Sequence, residues 1–242
     1  MAGRFFAWPF FCFAICNSII RFCVCAQNPT SMQRLFISLL CSIVLLIKPV
    51  LAAAPANPFT AFSKSWSADL YTKANTGAKA IYLNKIEKEI LQVLNLVRMN
   101  PVLYATTVLP QFPKRSHQFD ITQSAEYKSL YATLMSMKPL PVLQPDSLSW
   151  VSARCHAISS GQQGYVGHDR ITADCEKVEQ FDAESCHYGY NNAIDIVTSL
   201  LIDKDVPSLG HRTMLLGNYK KVGIAMASHT EYGTTAVLDF KR

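Results

Sequence analysis

The chain has 242 residues, with 23 Lys and Arg against 17 Asp and Glu and a formal net charge of +6. Four of the basic residues, Arg4, Arg21, Arg34 and Lys48, and none of the acidic ones fall within the first fifty positions, which leaves 19 against 17 beyond them. A nucleic-acid binder keeps a basic stripe in its folded part; none is visible here, so that class of function is excluded.

Residues 5–26 are apolar but interrupted by Pro9, Asn17 and Arg21. That makes a poor membrane span, which needs about 20 largely apolar residues. The second apolar run is cleaner: Met32-Gln33-Arg34, an uninterrupted core over 35–47, Lys48-Pro49, then the small residues of Val50-Leu51-Ala52-Ala53-Ala54. A basic start, an apolar core and a small-residue cleavage site are the layout of a secretory signal peptide. The reading is therefore an upstream extension over 1–31 with Met32 as initiator, a signal peptide over 32–52, and a secreted mature protein, extracellular or periplasmic. No stable membrane span is expected after cleavage.

Residues 53–78 are small and polar, contain Pro55, Pro58 and Gly77, and read as a flexible linker. Helical period begins near Lys79 and runs through Ile81, Ile86, Ile90, Leu91, Leu94 and Val97 to Asn100-Pro101, which ends this helix and opens a short one over 102–109. Pro110 and Pro113 break that helix. A third is expected over 124–137, stopped by Lys138-Pro139-Leu140-Pro141, and a fourth from the cap Asp146 to Gly161 or Gly164. The stretch 162–190 shows neither period and reads as a long loop, of the kind that carries function. Asn191 or Asn192 caps an apolar helix through Ile196 and Leu200, and Pro207-Ser208 opens a shorter one ending at Gly217. Two strands, 222–227 and 234–240, close the chain around the turn Glu231-Tyr232-Gly233. Helices first and paired strands last predict an α+β domain over 79–242, with helices covering an antiparallel sheet.

Five cysteines lie in the leader, and only Cys155, Cys175 and Cys186 follow it. Three thiols allow at most one internal disulfide. Cys175 and Cys186 share one loop-like stretch and are the expected pair in an oxidising compartment; Cys155 falls on an apolar helix face as a free thiol.

No nucleophile elbow, zinc-protease helix or phosphate loop occurs. Two histidines follow glycines directly, in Gly167-His168-Asp169-Arg170 and Gly210-His211-Arg212, and Glu184 lies between them. Histidine and carboxylate are ligands for divalent metals and also proton-transfer groups. On the residues alone, one shared site and two separate capping or packing roles both remain open. His156, beside Cys155, reads as partly buried structure. His187 adjoins Glu184 but points the other way if that segment is extended. Asn95 and Arg98 read as structural, holding backbone groups with amide and guanidinium donors.

Four blocks resemble the bacterial branch of the CAP superfamily (cysteine-rich secretory proteins, antigen five and pathogenesis-related proteins): Asn95-Leu96-Val97-Arg98-Met99-Asn100-Pro101, Val166-Gly167-His168-Asp169, Glu184 through Gly189, and Val206-Pro207-Ser208-Leu209-Gly210-His211-Arg212. The closing Val222-Gly223-Ile224-Ala225 and Val237-Leu238-Asp239-Phe240 are similar as well, so the resemblance covers about residues 79–242. It implies an α–β–α sandwich with a central antiparallel sheet. It also implies a cleft in which His168, His211 and Glu184 hold Zn²⁺ or another divalent cation. Ala183, Ser185 and Cys186 depart from the family's residues around that glutamate. Asp203 is the nearest match to a second acidic position, and His187 and Tyr188 are further cleft candidates. The function implied is a secreted binding module for a small ligand, lipid-like or glycan, rather than an enzyme. The alternatives are a metal-assisted hydrolase with Glu184 as general base, and a cell-envelope interaction protein whose cleft is vestigial.

Overall fold

A computed structural model describes residues 57–242; the readings of an upstream extension over 1–31, a signal peptide over 32–52 and the start of the linker lie outside the described residues. From Asn57 onward the expected linker is corrected, because the arm is packed. Asn57 Oδ1 accepts from the Phe59 amide to cap a 3₁₀ turn, Pro58–Ala61, and helix α1 (Ala68–Ala74) follows from the cap Ser67. Phe59 and Trp66 are fully buried with rings edge-on at 5.1 Å, and Trp66 Nε1 donates to Thr107 Oγ1 at 2.9 Å. Two isolated aromatics leave no periodic pattern. Each nevertheless buries on the order of 200 Å², enough to fix an arm that local sequence leaves unstructured.

Helix α2 (Lys85–Met99) starts where Asn84 and Glu87 form a reciprocal capping box, six residues after the apolar period begins. Ile81 lies outside it and is exposed. Then follow α3 (Pro101–Thr107), α4 (Phe112–Ser116), α5 (Ala125–Ser136), the two-residue strand β1 (Gln144–Pro145) and α6 (Ser147–Gln163). The cap Asp146 opens α6, and Gly164, at φ 67°, closes it in the left-handed conformation that glycine adopts freely. The reading of 162–190 as loop is corrected in two places, by α7 (Ala173–Lys177) and by strand β2 (Ala183–Tyr188). Helices α8 (Ala193–Ile202) and α9 (Gly210–Leu215) and the hairpin β3 (Lys221–His229) and β4 (Gly233–Lys241) complete the described chain. None of the described helices is long and apolar enough to cross a membrane.

The class is α+β. The sheet runs β1-β3-β4-β2; β3–β4 and β4–β2 are antiparallel, whereas β1 joins β3 in parallel, so the expected antiparallel sheet is mixed. Strand alternation assigns its two faces. Val222, Ile224, Ala236, Leu238 and Phe240 enter the main core with buried residues of α2 and α8. Cys186, Ala225 and Val237 turn the other way, onto Ala153 and Ala157 of α6. A Cβ on Gly223 would stand 2.1 Å from the backbone at Ser149 and Trp150, so glycine there lets α6 lie directly on the sheet.

Asn95 and Arg98 of α2 are buried and bind backbone. Asn95 Nδ2 donates to the carbonyls of Ala74 and Leu143 and to Thr76 Oγ1, while its Oδ1 accepts from the Leu143 amide. Arg98 donates to the carbonyls of Pro141, Leu215 and Gly217, tying α2 to the segment before β1 and to the end of α9 with the turn after it.

The disulfide also differs from expectation. Cys155 on α6 pairs with Cys175 on α7, and Cys186 is the buried free thiol. The alternation of β2 turns Cys186 into the interface with α6, away from the pairing expected with Cys175.

Candidate metal and ligand site

Strand β2 organises the chemistry because its two faces carry different residues. Glu184 and Cys186 face α6; Ser185 and His187 face the helices on the other side. Both faces are buried.

On the α6 side, the buried Glu184 meets three cations or cation formers. His168 Nδ1 donates to Glu184 Oε1 at 2.9 Å, Arg170 Nη2 forms an ion pair with Oε2 at 2.7 Å, and His156 Nε2 lies 4.0 Å from Oε1. Arg170 also donates to the His168 carbonyl at 3.1 Å and packs over the Phe181 ring. Burial alone would raise the Glu184 carboxyl, but the bonds from His168 and Arg170 outweigh it and hold it well below the usual carboxylate range. The hydrogen bond to Glu184 raises His168, an exposed ring. Burial lowers His156, which is fully enclosed. Asp239 pairs directly with Glu184 across β2 and β4; its carboxyl is pushed far up by burial and by the neighbouring Glu184 charge. Cys186 Sγ lies 3.8 Å from His168 Nδ1, and its thiol is raised by burial and by the Glu184 and Asp239 charges.

On the other side, Asp203 ends α8 at φ 58° and aims its carboxylate back at α9. Oδ2 accepts from the His211 amide at 2.9 Å and Oδ1 from His211 Nδ1 at 2.7 Å. Arg212 anchors this turn from below, donating to the carbonyls of Leu201, Ile202 and Glu126. Asp205 at φ 63° and Leu209 at φ 48° place two more non-glycine residues in the left-handed region within the same connection. Such conformations persist only where surrounding contacts over-determine them. A groove of about 410 Å³ opens here, walled by Phe112, Cys186, His187, Tyr188, Asp203 and His211 among others. His187 stacks on Tyr190 at 5.3 Å, and burial, helped by the positive field of His211, pushes its ring down to about 4.

No protein-family model, curated protein or solved structure matches this chain.

Of the residues singled out from sequence, Glu184 and His168 come together, and Asp203 and His211 come together. His187, Tyr188, Asp203 and His211 share the groove; His168 does not line it. Each exposed-edge histidine thus has its own buried carboxylate at Nδ1, which fixes the tautomer and leaves Nε2 with a free lone pair. Histidine ligands of metals are oriented in this way by outer carboxylates. By this geometry Glu184 and Asp203 are orienting groups for their histidines.

One set of potential ligand atoms among the described residues lies close enough to hold a metal ion: a ring nitrogen of His156, a carboxylate oxygen of Glu184 and Sγ of Cys186, all within 4.8 Å of one another and all buried. His156 and Cys186 were not expected at the site. Their signal in sequence is faint. Cys186 lies two residues from Glu184, the spacing that puts both on one strand face, but this shows only once the segment is known to be a strand. Arg170 follows His168 by two positions, and its role was equally hidden.

Proposed function

We propose that this chain is a secreted protein of the CAP type, with an α–β–α sandwich, and that it acts as a binding module. Its groove takes a small ligand, lipid-like or glycan, and a divalent cation such as Zn²⁺ is held at the histidines. What carries the reading is the pairing of His168 with Glu184 and of His211 with Asp203, each through Nδ1, so that two imidazoles offer Nε2 outward. His211 would supply a nitrogen ligand at the groove wall, and His168, which stands outside the groove lining, one at its own exposed edge. A bound cation would add positive charge beside a groove whose walls are otherwise partly apolar, from Phe112, Ile121 and Leu200.

The hydrolase alternative lacks this kind of support. Glu184 is buried, ion-paired with Arg170 and bonded to His168. A carboxylate stabilised in its charged form that strongly is a weak proton acceptor for an attacking water.

The test is calorimetry with Zn²⁺ on the wild type and on the double variant His168→Ala/His211→Ala. Binding in the wild type and its loss in the double variant are expected. Unchanged binding in the double variant would remove the histidine site.

A further inference from the structure

We infer that the protein has a second, buried cation site, made by His156, Glu184 and Cys186 beneath the loop that carries His168, and that it takes a borderline divalent ion such as Zn²⁺ through a thiolate. This goes beyond the groove reading and needs neither His211 nor Asp203.

The geometry is close to what such an ion requires. Zinc–ligand bonds of about 2.0–2.3 Å arranged tetrahedrally place ligand atoms about 3.3–3.6 Å apart. Here the three ligand atoms lie within 4.8 Å of one another, and His156 Nε2 is 4.0 Å from Glu184 Oε1. Contraction by less than the width of an atom closes the set. Nitrogen, carboxylate oxygen and thiolate sulfur together suit zinc rather than magnesium or calcium, which take oxygen ligands.

Three observations set this cluster apart from an ordinary hydrogen-bonded core. His156 is fully enclosed; its Nε2, the nitrogen that faces Glu184, donates to the Gly167 carbonyl at 3.0 Å, a bond that has to open and a proton that has to move to the partnerless Nδ1 before Nε2 can ligate. Asp239 is equally enclosed, and neither of its oxygens has a hydrogen-bond partner. Finally, two carboxyls face a single guanidinium, with Arg170 Nη2 2.7 Å from Glu184 and 3.6 Å from Asp239. When a divalent ion enters and the Cys186 thiol and the Asp239 carboxyl each give a proton to solvent, one thiolate, two carboxylates, one guanidinium and the ion sum to zero charge. Buried charge is tolerated when paired in this way. Arg170 then keeps Glu184 Oε2 and leaves Oε1 for the metal, the outer-shell arrangement that orients a ligating carboxylate.

Entry is from the His168 side. His168 is the exposed member of the cluster, and its Nδ1 bond to Glu184 Oε1 occupies the position an incoming ion would take. That bond has to open, and His168 Nδ1, 3.8 Å from Cys186 Sγ, is then at hand as a fourth donor.

The experiment is a Co²⁺ titration of the full mature chain after metal stripping, read by the thiolate-to-cobalt charge-transfer absorbance in the near ultraviolet. Wild type and His211→Ala should both develop the band, saturating at one equivalent. Cys186→Ser should abolish it while keeping the wild-type urea midpoint to within the small effect of a sulfur-to-oxygen change. His156→Gln should weaken Co²⁺ binding at least about tenfold. No band in the wild type at saturating Co²⁺, or a band that survives in Cys186→Ser, overturns the buried site. Because a histidine-only site gives no thiolate band, this failure is distinct from that of the groove, which is read by Zn²⁺ calorimetry on the His168/His211 double variant against its parent, both carrying Cys186→Ser so that the buried site is absent.

Discussion

Asn95→Ala tests how the arm and the segment before β1 are fastened to α2. The amide of Asn95 makes four hydrogen bonds, and its loss does not strand all their partners equally. The Ala74 carbonyl still accepts from the Thr76 amide at 3.0 Å, and the Leu143 carbonyl still accepts from Thr76 Oγ1 at 2.7 Å. The Leu143 amide, which donates to Asn95 Oδ1 at 2.8 Å, belongs to a fully buried residue and keeps no partner. One stranded buried donor costs about 1–3 kcal/mol, and three lost bonds to groups with other partners or with access to a hydroxyl cost about 0.5 kcal/mol each. The expected destabilisation is about 3 kcal/mol. Thr76→Val, which removes one bond to Leu143 and one from Asn95, should cost about 1 kcal/mol. Urea unfolding of the oxidised protein would read both as shifts in midpoint at constant slope. A loss below about 1 kcal/mol for Asn95→Ala would refute the reasoning, since it would mean that the Leu143 amide finds water or another acceptor.

Three further outcomes follow from the same geometry. Gly223→Ala drives a methyl group into the backbone of α6 at Ser149 and Trp150, which cannot rotate aside; a loss of about 3 kcal/mol or failure to accumulate as folded protein is expected, and a shift under about 1 kcal/mol in urea unfolding would contradict it. Cys155→Ser/Cys175→Ser opens a bridge of sequence separation 20 and should cost about 3 kcal/mol; the wild type in reductant should fall to the same urea midpoint, and the double variant should ignore reductant. His187 governs part of the acid limb of stability. Its folded value of about 4 lies below the ordinary 6.5, so the unfolded chain binds the proton more readily. Its contribution is therefore complete above pH 6.5 and lost as pH falls toward 4, by about 3 kcal/mol at about 1.4 kcal/mol per unit. His168, raised by Glu184, acts in the opposite sense, since its stabilisation is present below pH 6.5 and fades as pH rises. Comparing urea stability of His187→Phe and wild type across pH 7 to 4 isolates the first effect; parallel curves would disprove it.

The sequence by itself determined the elements that are specified within a few residues. Ser124, Asp146 and Asn192 each cap a helix, because a cap needs only a side chain within reach of the next turn's amides. Asn100-Pro101 marks the joint of α2 and α3 through proline's fixed φ at the first helical position. The box of Asn84 with Glu87 is as local, but it lies inside the apolar run whose period begins near Lys79. The closing hairpin was equally legible from its turn and two apolar runs. Two candidate pairs were half visible: His168 and Glu184, and Asp203 and His211, were each named, but not which carboxylate serves which ring.

Tertiary structure decided the rest. Strand β2 escaped notice because a strand buried on both sides has no polar alternation to betray it. With β2 unseen, the shared face of Glu184 and Cys186 was unseen as well, along with the meeting of both with His156 from α6. The disulfide partner of Cys175 and the packing of Phe59 and Trp66 are likewise matters of distance in space between residues far apart or unpatterned in the chain. Local rules place the ends of helices; only the stacking of α6 on the sheet brings a ring, a carboxylate and a thiol to one point.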